Sequence, residues 1–109
     1  MSAYAVAHLR SVVMGAAIVE YLERIDATLT PFGGRFLVHG AQAEVVEGEW
    51  PGHLVVIAFP DLARARAWYA SPAYQAILRL RTDNADCVAL IIDGVPDNYR
   101  ATDALAKAA

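Results

Sequence analysis

The stretch Pro31-Phe32-Gly33-Gly34-Arg35-Phe36-Leu37-Val38-His39-Gly40 decides how this chain is read. A helical pattern runs into it and stops at Pro31, because proline cannot continue a helix and biases the preceding residue away from the α region. Gly33 and Gly34 accept positive φ, so the chain can reverse tightly here. Alternation follows, with Arg35, Leu37, His39 and Ala41 on one side and Phe36, Val38, Gly40 and Gln42 on the other. The spacing predicts a strand from Arg35 to Val46, whole or in two pieces. Gly40 in its middle points to a bulge or a close backbone approach.

Upstream, Met14 to Thr30 reads as a helix whose stripe is Ile18, Leu22, Ile25 and Leu29, with Tyr21 flanking it. Ser11 is a poorly placed cap for it. Tyr4 to Leu9 is apolar on both faces, as in a strand covered on both sides. His8 reads there as a strand-end histidine satisfied by backbone or water. Downstream, Glu47-Gly48-Glu49-Trp50-Pro51-Gly52 is a turn. Trp50 within it either caps the core edge or walls a pocket.

His53 to Phe59 is an apolar, β-branched run that belongs in the middle of a sheet. Pro60 ends it, and Asp61 caps a helix from Leu62 to Ala70 with Leu62, Ala65, Trp68 and Tyr69 as its apolar face. Ser71-Pro72 restarts the helix. Tyr74, Ile77, Leu78 and Arg81 then share one side, and Thr82-Asp83-Asn84 ends it. Cys87 to Ile92 is the last strand, closed by Asp93-Gly94. The polar, alanine-rich tail from Val95 onward forms a short helix or frays.

The order strand, helix, strand, strand, helix, strand is the ferredoxin-like βαββαβ arrangement, an α+β fold with a four-stranded antiparallel sheet. One domain is expected over residues 1–94, with a tail over 95–109. Two helices cover only one face of a sheet that is apolar on both. The simplest cover for the second face is another copy, giving a homodimer joined through its sheet faces, a dimeric α+β barrel.

The bulk numbers agree with such an assembly. Hydrophobic residues make up 57% of the 109 and charged residues 19%, which is apolar for a small domain. A net charge of −3 argues against nucleic acid, which calls for a clustered basic field. Arg64, Arg66, Arg79 and Arg81 are a local exception, read as a solvated helix face. The single Cys87 cannot form an intramolecular disulfide and reads as a buried small hydrophobe. No run approaches the roughly 18 apolar residues of a membrane helix, and the protein is expected to be cytoplasmic. His8, His39 and His53 are read as lying on three different strands, without the short spacings of a metal site, so no metal is expected, and no cofactor. Phosphate-binding loops are absent, since Gly33-Gly34 leads into a strand.

Several segments together resemble a bacterial family, the domain of unknown function 1330. They are Pro31-Phe32-Gly33-Gly34-Arg35-Phe36-Leu37-Val38, Glu47-Gly48-Glu49-Trp50-Pro51, Phe59-Pro60-Asp61 and Trp68-Tyr69-Ala70-Ser71-Pro72-Ala73-Tyr74-Gln75. The resemblance spans about residues 4 to 94 and implies the dimeric α+β barrel superfamily. That superfamily includes cofactor-free oxygenases and isomerases alongside members with no assigned activity. Met14-Gly15 stands where the family often has Asp-Pro, and His39 where it often has arginine.

Tyr21, Arg35, His39, Trp50, Trp68, Tyr69, Tyr74 and Arg81 are the residues expected to line a cleft, combining aromatic walls with a few polar groups. Arg35 or Arg81 would clamp a carboxylate, and His39 would take a proton as a base. The bland alternatives are a satisfied barrel histidine at His39, an Arg35 that pairs with a helix end or a glutamate, and core packing for Trp68, Tyr69 and Tyr74. Three functions follow: binding of a small acidic or aromatic molecule; cofactor-independent isomerase or monooxygenase-like chemistry with His39 as base; or a structural dimer without ligand.

Overall fold

In the computed structural model, which describes residues 1–108, a four-stranded antiparallel sheet carries its helices on one face. Strand β1 (Ala3–Val12) leads to helix α1 (Ala16–Leu29), then β2 (Arg35–Val38), β3 (His53–Phe59), α2 (Leu62–Ala70), α3 (Pro72–Thr82) and β4 (Ala85–Asp93). A short helix, α4 (Ala104–Ala108), follows. The strands lie in the order β2-β3-β1-β4, the ferredoxin-like topology. The apolar run of β3 is therefore internal, as its composition requires.

The turn after α1 shows why two glycines stand together. Thr30–Phe32 tightens into a 3₁₀ turn, and Gly33 adopts φ 70°. Its N–H bonds the Thr30 carbonyl at 3.2 Å, while the Gly34 N–H reaches that of Leu29 at 3.1 Å. A left-handed residue that satisfies the last helical carbonyls is how such helices commonly end. Gly34 serves packing instead. A Cβ there would lie 2.7 Å from the Phe59 ring and 2.8 Å from Leu29 Cδ2.

The two later helices start at the side chains expected of them. Asp61 accepts a hydrogen bond from the Arg64 N–H at 2.8 Å, and Ser71 accepts one from that of Tyr74 at 3.2 Å. Helix α1 starts at Ala16, later than Met14, with Gly15 at its cap and no side-chain cap. Ser11 lies within β1, which runs three residues past Leu9, to Val12. On α1, Tyr21 is buried and Leu22 is 40% exposed, so the stripe is rotated from the expected one. The tyrosine reaches further inward than leucine would, to a buried partner described below.

The strand expected to run to Val46 ends at Val38. The register with β3 shifts between Phe36 and Val38, because Phe36 pairs with Ile57 while Val38 pairs with Val56. Gly40 then takes φ 86°, and residues 39–52 leave the sheet. A bulge followed by a left-handed glycine removes the alternation that a longer strand needs. The strand at Cys87 is longer than expected and covers Ala85–Asp93.

The sheet divides its residues by size. On the helix side β1 presents Ala3, Ala5 and Ala7, and Ala7 stands beside Ala89 of β4. Ile57 and Phe59 of β3 fill the core with Tyr21, Ile25, Leu29, Trp68, Tyr74 and Ile77 of the helices. On the far side Val88, Leu90 and Ile92 are each more than half exposed. Replacing Gly34 by alanine should lower unfolding free energy by about 1–3 kcal/mol, through overpacking against Phe59 and Leu29; urea denaturation measures it.

Candidate functional site

β1 and β4 offer alanine beneath the helices, and α1 and α3 do not fill the space above it. A cavity of about 680 Å³ opens there, within the roughly 300–1,000 Å³ range of small-molecule sites. Its floor includes Ala5, Ala7, Leu9, Val55 and Ile57. Its walls include Ile18, Tyr21, Ile25, Trp68, Tyr69 and Tyr74.

Arg81 projects into this apolar space from the last turn of α3, where a cation suits the helix dipole. It is 93% buried, with 7% of its surface exposed. Its Nη2 donates to the Tyr74 hydroxyl at 3.3 Å, and its Nη1 donates to Cys87 Sγ at 2.9 Å. Tyr74 in turn shares a 2.8 Å hydrogen bond with the Tyr21 hydroxyl. Arg81 also sits 6.0 Å from the centre of the Tyr21 ring. Among the described residues, no carboxylate lies within ion-pair distance of Arg81. A buried guanidinium with no carboxylate partner retains unused capacity for an anion.

Burial acts in opposite senses on the two groups, raising Tyr21 and lowering Arg81. Burial, and then the neighbouring Tyr74 hydroxyl, pushes the Tyr21 phenol far above its ordinary value. Tyr21 is therefore a neutral hydrogen-bonding group and not a base. Burial is also the largest influence on Arg81 and works against its charge. Tyr74, Tyr21 and Cys87 together outweigh it, and the guanidinium is held charged.

The aromatic wall is a connected cluster. Trp68 packs 4.1 Å from Tyr74 and 5.3 Å from Phe59, centre to centre. Its indole N–H donates to Thr28 Oγ1 at 3.0 Å, which leaves no buried donor unpaired. Trp68 and Tyr74 are thus core and cavity wall at once. Tyr69 is more open, at 38% exposure.

Six of the eight expected residues meet at this cavity: Tyr21, His39, Trp68, Tyr69, Tyr74 and Arg81. Arg35 does not line it, since it stands opposite Ala58 beside a separate shallow pocket near Gly33 and Pro60. The bulge explains the separation. Strict alternation put Arg35 and His39 on one side, but His39 stacks on Phe36, ring centres 4.6 Å apart, and borders the cavity. Trp50 is absent from the lining as well. It stacks on His8 at 3.9 Å, and His8 Nε2 contacts the Pro51 carbonyl at 2.6 Å. His8 is satisfied by backbone, as expected.

Arg81 corrects the reading of the arginines as one solvated face. Its spacing from Tyr74 and Ile77 on α3 was the signal that it points inward. Sequence reasoning missed His53, which opens β3 and also borders the cavity. Its register partner Leu9 lies on the helix side of β1, a pairing that composition cannot reveal. No group of three or more metal-ligating side chains occurs among the described residues.

The architecture defines a small ferredoxin-like α+β domain with an apolar cavity between sheet and helices. A model of the family described as Domain of unknown function (DUF1330) matches residues 2–95, and the chain belongs to that family. No curated protein matches the sequence. Among solved structures, the chain is similar to a protein of unknown function from Rhodopseudomonas palustris, at 14% identity and a TM-score of 0.64, covering 87% of this chain and 83% of that one. A dimeric ferredoxin-like protein of unknown function from Jannaschia sp. CCS1 gives 14% identity and 0.64, covering 86% and 100%. A cofactor-independent oxygenase from Streptomyces nogalater gives 14% and 0.54, covering 91% and 98%. At these identities the likeness is one of fold.

Substitutions show what each polar group of the cluster contributes to stability. Tyr74→Phe removes the shared partner of Tyr21 and Arg81 and should cost about 1–3 kcal/mol. Arg81→Met keeps the volume and removes a buried charge. Its stability should stay within about 1 kcal/mol of the parent or exceed it. Denaturant titration of both variants checks the contrast.

Proposed function

We propose that this protein binds a small organic acid, with an aromatic or otherwise apolar body, in the cavity between α1, α3 and the sheet. The observation that carries this reading is Arg81, buried at 7% exposure in an apolar cavity with, among the described residues, no carboxylate within ion-pair distance. A carboxylate arriving there supplies the missing counter-charge, and the fork of the guanidinium suits it geometrically. The Tyr21 and Tyr74 hydroxyls stand beside the same position. Trp68, Tyr69 and Tyr74 offer ring faces for the ligand's body.

The test is a thermal-shift screen of aromatic carboxylates against their neutral amides. The acids should raise the Tm by several degrees at concentrations well above their Kd, and the amides should not. Arg81→Met should lose the acid response while remaining folded. Equal responses to acids and amides would remove Arg81 from the explanation.

His39 supports a second reading, a cofactor-independent enzyme with His39 as base, because its ring borders the same cavity. Turnover of a bound acid that disappears in His39→Ala, with binding kept, selects it. Binding without turnover selects the first.

The active unit in our reading is a homodimer joined through the far face of the sheet. Val88, Leu90 and Ile92 are 52%, 52% and 53% exposed in the single chain, and Leu37 is 46% exposed. So apolar a surface calls for a cover, and a two-fold copy of the same sheet is the commonest kind. The parent protein should sediment at twice the chain mass at micromolar concentration, and Ile92→Asp should sediment at the single mass. A monomeric parent would remove the dimer from the proposal.

A further inference from the structure

The cavity has polar groups at two ends and apolar residues between them. Its polar inner end is Arg81, held over the start of β4 by its bond to Cys87 Sγ. Register fixes where the other end lies. Leu9 of β1 pairs with Cys87 on one side and with His53 on the other. The three residues form one row across the sheet, on its helix side. His53 therefore stands two strands from Cys87, about 10 Å away by the usual spacing of roughly 4.8 Å. β2 runs antiparallel to β3 and passes Val56 at Val38, so the chain beyond it heads toward the His53 end. His39 arrives there and borders the same opening, stacked on Phe36.

Between these ends the floor is Leu9, Ala7 and Val55, with no polar side chain. Among the described residues, neither imidazole makes a side-chain hydrogen bond. Each ring has a donor or acceptor to offer a ligand.

We infer that the site is built for a two-ended ligand. It would be an elongated acid whose carboxylate meets Arg81 and whose far end carries a hydroxyl or a second carboxylate, held by His39 and His53. This inference rests on the acid-binding reading above and adds the ligand's length and second polar group. An apolar middle of one or two rings fits both the floor and the volume.

The experiment compares three probes by calorimetry at one pH: biphenyl monocarboxylate, its para′-hydroxy derivative and the para,para′-dicarboxylate. On the parent protein, at least one two-ended probe should bind roughly tenfold more tightly than the monoacid, as expected for one added hydrogen bond to a charged or polar end. In the double variant His39→Ala, His53→Ala the ratio should fall to within about twofold, and both histidines are exposed enough for the fold to tolerate the change. Equal affinity of all three probes on the parent overturns the two-ended ligand and leaves the acid site standing. A tenfold ratio that survives in the double variant overturns the role of the histidines. Failure of all three probes to bind overturns the acid site and this inference together.

Discussion

Three alanines set the terms for this molecule. Ala5 and Ala7 of β1, with Ala89 beside Ala7 on β4, put almost no side-chain volume beneath α1 and α3. Protein interiors are normally filled to crystal-like density. With small residues on the floor, the large ones must come from the helices, and Tyr21, Trp68 and Tyr74 reach across. They meet one another at 2.8 Å between hydroxyls and 4.1 Å between rings, short of filling the space. The cavity is what remains. Arg81 is tolerable in it because the Tyr74 hydroxyl and the Cys87 sulfur accept its hydrogen bonds, and because the end of α3 favours a cation.

The opposite face of the same strands is built the other way. Val88, Leu90 and Ile92 alternate with the helix-facing positions of β4 and are larger than Ala89 between them. A lone soluble domain would be expected to place its bulk under its own helices and its small or polar residues outside. The inversion leaves a space on the helix side of the sheet. The exposed apolar area lies on the far face.

Much of this was legible from the chain, and the illegible parts have a common cause. Punctuation read well: Pro31 and the glycine pair ended α1, Asp61 and Ser71 capped α2 and α3, and the apolar run His53–Phe59 became β3 with the same ends. These signals are local, set by φ restrictions and nearby hydrogen bonds. Leu22 and Tyr21 exchanged places because a helical stripe fixes direction only to within a residue or so. Tyr21 won the inward position through its bond to Tyr74, a partner 53 residues away.

The remaining misses follow from register. One bulge between Phe36 and Val38 carried His39 to the helix side and left Arg35 on the other, so two residues that shared a face on paper do not share a site. A one-residue slip reverses every side chain beyond it, and nothing in the spacing of Arg35 and His39 announces it. His53 went unnoticed for the converse reason. It looked like the polar edge of a strand, and only its pairing with Leu9 places it on the cavity side. Residue type and spacing therefore placed Arg81 at the cavity, because it shares a helix with Tyr74 and Ile77. The residues at the opposite end of the cavity come from separate segments, His39 just past β2 and His53 at the start of β3, and the pairing of β2 and β1 with β3 brings them there.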